Sequence, residues 1–159
     1  MIKLIAISSI LVALLGCDHQ MEKLEVQKGA QYKLQRSALV WVWEGSNNIP
    51  SVGAPYWMFL SNPMLKDMPL SALIGQVVMC DTGNAKIIEL IEPGAIFTVT
   101  SVDIVSSGID KPILEIIGTI KDRRGRFRLV DYGLNVNAVD RTLGPSPAFE
   151  DYWKQTRQP

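Results

Sequence analysis

After the turn Glu92-Pro93-Gly94 the chain runs Ala95-Ile96-Phe97-Thr98-Val99-Thr100-Ser101-Val102-Asp103-Ile104-Val105. β-Branched side chains dominate this run, and Thr98, Thr100 and Asp103 give it partial alternation. Such side chains lose rotamer freedom in a helix and pack well on a pleated surface, so the run predicts one long strand. The turn before it follows from chemistry: Pro93 fixes φ and Gly94 supplies the positive φ.

The next segment predicts a hairpin. Ile113, Glu115 and Ile117 share one face and Leu114, Ile116 and Gly118 the other; Lys121-Asp122-Arg123-Arg124-Gly125 turns the chain, and Phe127 to Tyr132 returns it. Extending the same reading gives strands at about 30–35, 38–44, 55–60, 75–80, 85–91, 95–105, 112–121 and 126–132, separated by Gly, Pro, Asn and Asp. The fold class is therefore mainly β, a small barrel or sandwich. The order Pro-Gly, long strand, loop, long strand, hairpin, third strand over residues 92–132 resembles SH3-like or OB-like barrels. A short C-terminal α-helix is expected over about 147–156, with Ser146 as N-cap, Pro147 in the first turn, and Phe149, Tyr152 and Trp153 sharing one face.

The start of the chain has a different character. One cation, Lys3, precedes an apolar run from Leu4 to Leu15 that only Ser8 and Ser9 interrupt. A bilayer-spanning helix needs about 20 apolar residues and a secretory core only about 7 to 15, so residues 1–16 read as a signal peptide. Leu14-Leu15-Gly16-Cys17 resembles a bacterial lipobox, with Leu15 where a small residue is more usual. The resemblance implies a lipoprotein in which Cys17 carries a diacylglyceryl group and becomes the mature N-terminus, anchoring the protein to a membrane without crossing it. Asp18 next to it resembles the inner-membrane retention signal of enteric bacteria, which implies a domain facing the periplasm. Residues 17–28 are then a lipidated N-terminus with a short tether of at most about 35 Å, and 29–159 a single β-rich domain.

Residues 17–159 carry 15 Lys and Arg against 16 Asp and Glu, a neutral balance that does not argue for nucleic acid. With Cys17 acylated, Cys80 has no disulfide partner and reads as a small buried hydrophobe. The one histidine, His19, lies beside the lipidation site, so a Ser-His-Asp or Cys-His arrangement inside the domain is not expected. Glu89, Glu92, Glu115, Asp103 and Asp131 lie near strands without any Gly-rich phosphate loop or nucleophile elbow. The chain reads as a non-enzyme without cofactor or metal, with a carboxylate-dependent envelope hydrolase as the least favoured alternative.

Two features are candidates for binding. Trp41 and Trp43 point the same way from the 38–44 strand, and Tyr56 and Trp57 follow after a Gly- and Asn-rich loop. Both faces of the 38–44 strand are apolar, so it is either buried on both sides or leaves one face for a partner. The second feature is the turn carrying Arg123, Arg124 and Arg126, flanked by Lys121 and Arg128, which can grip carboxylates of a protein partner or phosphates of lipid heads, or can simply be a solvated turn. The expected function is a membrane-anchored protein-binding domain of the cell envelope, an accessory subunit or an immunity or exclusion factor; the alternative is a glycan- or lipid-binding lipoprotein.

Overall fold

The computed structural model describes residues 23–24, 26–45, 49–54, 62–80, 83–105, 113–131, 135–137, 142–144 and 146–158. They form twelve strands and one α-helix: β1 Lys23–Leu24, β2 Gln31–Leu34, β3 Ala38–Trp43, β4 Ser51–Gly53, β5 Val77–Cys80, β6 Gly83–Ile91, β7 Ile96–Val105, β8 Ile113–Ile120, β9 Phe127–Asp131, β10 Asn135–Asn137, β11 Thr142–Gly144, α1 Pro147–Tyr152 and β12 Trp153–Arg157. Two 3-10 turns, Pro63–Asp67 and Leu70–Leu73, precede β5. The protein is mainly β with a short C-terminal helix.

Nine strands make one sheet in the order β12-β2-β7-β8-β9-β4-β3-β6-β5, and β1, β11 and β10 make a separate small one. The sheet does not close into a barrel, which corrects the barrel alternative of the sequence reading. The reason lies in its two ends. At one end Trp153 of β12 joins a core with Tyr32, Phe97, Val40, Leu114, Ile116 and Phe149. At the other end Val78 of β5 joins a different core with Leu39, Trp41, Leu73, Ala85 and Ile87. The terminal strands are committed to opposite sides of the sheet, so they do not meet edge to edge.

β3 lies between the two cores. Its residues alternate strictly: Ala38 and Val40 enter the larger core, Leu39 and Trp41 the smaller. β6, beside it, does not alternate. Its register with β3 shifts between Val40 and Trp41, which oppose Glu89 and Ile87, leaving Ile88 as an extra residue. A bulge of this kind exchanges the faces of everything beyond it. Ala85 and Ile87 therefore face the smaller core, whereas Ile91 faces the larger.

The strands expected at 30–35, 38–44, 75–80, 85–91, 95–105, 112–121 and 126–132 match β2, β3, β5, β6, β7, β8 and β9. The strand expected at 55–60 lies outside the described residues. The helix expected over 147–156 ends at Tyr152. Ser146 caps it, its hydroxyl accepting from the Phe149 N–H at 3.1 Å, but Trp153 to Arg157 extend and pair with β2 in the register Trp153↔Leu34 and Lys154↔Lys33. Pairing with β2 supplies partners to the backbone groups of a sheet edge that one more helical turn would have left unfilled. At the other terminus Val26 is already in the larger core and Lys23–Leu24 pair with β11, so ordered structure begins ahead of residue 29.

Candidate functional site

The arginine turn is built on the β8–β9 hairpin. Lys121 N–H donates to the Ile96 carbonyl at 2.9 Å and Arg123 N–H to the Ile120 carbonyl at 3.1 Å. Asp122 takes φ 65 and Gly125 φ 93. Asp is one of the few residues with a side chain that tolerates this left-handed region, and Gly has no Cβ to oppose it. These two positions close the turn and hold Arg123, Arg124 and Arg126 on one protruding loop.

Within that loop the arginines divide. Arg123 pairs with Glu89, its Nη2 2.5 Å from Oε1 and its Nε donating to the same oxygen at 2.8 Å. Arg128, just inside β9, is 2.5 Å from Glu115 through Nε. Both pairs are partly exposed, so each contributes only about 0–1 kcal/mol to stability, and their main effect is to fix side-chain direction. Lys121, Arg124 and Arg126 are exposed and make no ion pair among the described residues. Glu89 reaches this loop because the Ile88 bulge turns it out of the smaller-core face. Its separation of 34 residues from Arg123 left no local signal in the sequence.

Beside the turn is a depression of about 390 Å³, with Ile91, Glu92 and Gly94 on one side and Lys121, Asp122 and Arg123 on the other. Glu92 accepts from the Ser37 hydroxyl at 3.2 Å. The depression is therefore mixed in charge, and Arg124 and Arg126, which like Lys121 make no ion pair among the described residues, stand on the loop next to it.

The aromatic candidates are not brought to this place. Trp41 is 7% exposed in the smaller core, and Trp43 packs against the same cluster. β3 is thus covered on both faces over its first four residues. Tyr56 and Trp57 lie outside the described residues, as does Cys17; Cys80 falls in β5, where only its backbone is described. Of the carboxylates, Asp103 and Glu115 are cross-strand partners in β7 and β8. Glu115 is tied to Arg128 and Glu89 to Arg123, so these two acids neutralise cations across strands. Among the described residues no three His, Cys, Asp or Glu side chains gather where they could hold a metal ion, and no helix is long and apolar enough to cross a membrane.

Comparison of the chain with protein-family models, with curated proteins and with solved structures finds no match.

Proposed function

We propose that this chain is a bacterial lipoprotein, acylated at Cys17, whose β domain binds a protein of the cell envelope and catalyses no reaction. The observation that carries the binding part is the division of the arginine turn. Arg123 is tied down by Glu89, while Arg124 and Arg126 are exposed and make no ion pair among the described residues, on a loop braced by backbone hydrogen bonds. A guanidinium that makes no ion pair among the described residues is available to carboxylates of another molecule, and the braced backbone leaves only side-chain order to be imposed on binding. The anchor rests on the residues Leu14-Leu15-Gly16-Cys17 after the apolar run. The glycan- or lipid-binding alternative would draw on Trp41, and its packing inside the smaller core weighs against that reading.

The test is affinity capture with the full lipoprotein from solubilised envelopes, comparing wild type with Arg124→Gln/Arg126→Gln. The variant leaves Arg123–Glu89 in place and should melt as wild type does. An acidic partner should be retained by wild type and lost by the variant at low salt. The difference should shrink as salt shortens the Debye length from about 10 Å at 0.1 M to about 3 Å at 1 M. Equal retention by both proteins at low salt would refute the arginine turn as the binding element.

A further inference from the structure

Among the described residues the nine-stranded sheet ends at β12 on one side and at β5 on the other, and the two edges are built differently. β12 shows Lys154, Gln155, Thr156 and Arg157 to solvent and carries a register shift, the usual protections of a free edge. β5 reads Val77-Val78-Met79-Cys80, without charge or proline, and its four residues pair with β6 in unbroken register. Val78 enters the smaller core, while Val77 is 51% and Met79 72% exposed. A regular, apolar, uncharged edge invites another strand.

The backbone of this edge specifies which strand. Successive residues of an antiparallel strand direct their N–H and C=O groups to opposite sides. Ile87 N–H donates to the Gln76 carbonyl at 2.9 Å, so Gln76, Val78 and Cys80 bond toward β6, and Val77 and Met79 direct their groups outward. Two groups along the edge are already engaged. The Asn62 side chain donates to the Met79 carbonyl at 2.8 Å. Gly75, which in a regular strand would also bond outward, takes φ 86 and turns its N–H inward to the Ile87 carbonyl at 2.8 Å. Between them, the Val77 N–H and carbonyl make no hydrogen bond among the described residues.

A second β5, related by a twofold axis at Val77, fits this pattern. Each Val77 then donates to and accepts from the other, and Met79 lies opposite Gly75 of the second copy. The two engaged groups, the Met79 carbonyl and the Gly75 N–H, fall opposite each other, so neither is asked for a bond it cannot make. The side chains agree with this register. Val77 packs on Val77, and the long Met79 crosses a position with no side chain, where a Cβ would have no atom within 4 Å. Charge does not oppose the pairing either. Lys86, the cross-strand partner of Val77, is one strand inside the edge, which keeps its two copies about 14 Å apart, beyond the Debye length at physiological salt.

We infer that β5 pairs antiparallel with β5 of a second copy, Val77 opposite Val77, joining the two sheets of a twofold dimer into one. The inference requires neither the anchor at Cys17 nor the arginine turn.

The test measures the mass of the full chain in detergent by sedimentation over a range of concentrations. Wild type should reach the mass of two chains, and Val77→Pro should remain one chain throughout. Proline removes only an outward N–H, which an edge strand tolerates, so melting should be little changed. Val77→Lys, at a half-exposed position, repeats the comparison should the proline variant melt early, because it sets two cations directly opposite each other. Register is read with Val77→Cys in a Cys17→Ser/Cys80→Ala chain. Hydrogen-bonded antiparallel partners lie about 5.5 Å apart at Cα, within disulfide reach. Mild oxidation should cross-link Val77→Cys into a dimer and leave Thr156→Cys, on the β12 edge in the same background, as single chains. A wild type that stays one chain at every concentration, a dimer that survives both Val77→Pro and Val77→Lys, or a Val77→Cys chain that cross-links no faster than Thr156→Cys would each overturn the inference.

Discussion

The ring of Phe97 lies against the backbone of Gly118 so closely that a Cβ there would fall 2.5 Å from Cζ and closer still to the carbonyl oxygen of Thr98. Phe97 is fully buried and stacks near Trp153, with ring centroids 5.7 Å apart. Phe97 thus links the β7–β8 pair to Trp153 of the C-terminal strand. Gly118→Ala has no room on the ring side or the backbone side. It should cost at least about 1–3 kcal/mol, the usual range for overpacking, measured as a lowered urea midpoint. A midpoint equal to wild type would show that β7 and β8 are not this close.

The Ser146 cap gives a smaller effect. Its hydroxyl accepts from the Phe149 N–H, and Phe149 packs edge-to-face on Tyr32 at 5.6 Å. Ser146→Ala should therefore lower stability by about 1 kcal/mol, whereas Ser146→Asp, which keeps an acceptor, should lose less. Denaturant unfolding of both variants distinguishes a cap from a packing role.

Tyr152 supplies a pH dependence. Burial raises its pKa above 10.0; the nearby Arg36 guanidinium opposes the rise and Asp151 adds to it. The neutral phenol is the form the fold favours, so its contribution is complete below the unfolded pKa and is lost as pH climbs through the higher folded value. Stability should fall above about pH 10, and Tyr152→Phe should remove that part of the slope. An unchanged slope in the Phe variant would place the alkaline loss elsewhere.

Trp41 separates packing from binding. If it serves the smaller core, Trp41→Ala should destabilise by about 3–5 kcal/mol, and capture of a partner by the still-folded fraction should match wild type. A stable variant that loses binding would return Trp41 to the binding surface.

Much of the fold was legible because local signals and tertiary needs agree: the β-branched run 96–105, the hairpin around Lys121–Gly125 and the Ser146 cap are each decided within a few residues. Other features depended on distant residues. Nothing between Ser51 and Gly53 announces a strand, and β4 exists because β3 lies on one side of it and β9 on the other. Trp153 continued a helical face in sequence, but the open edge of β2 drew it into a strand. At the candidate site, the three arginines were visible as a cluster. Which of them is already paired was not, since that depends on a one-residue bulge in β6 that turns Glu89 toward Arg123.

That this domain works from a membrane to which Cys17 holds it is tested most directly by metabolic labelling with an alkyne fatty acid in a bacterial host. Wild type should take up the label and fractionate with membranes, and Cys17→Ser should do neither. Label retained by the serine variant, or an unlabelled wild type, would contradict the anchor.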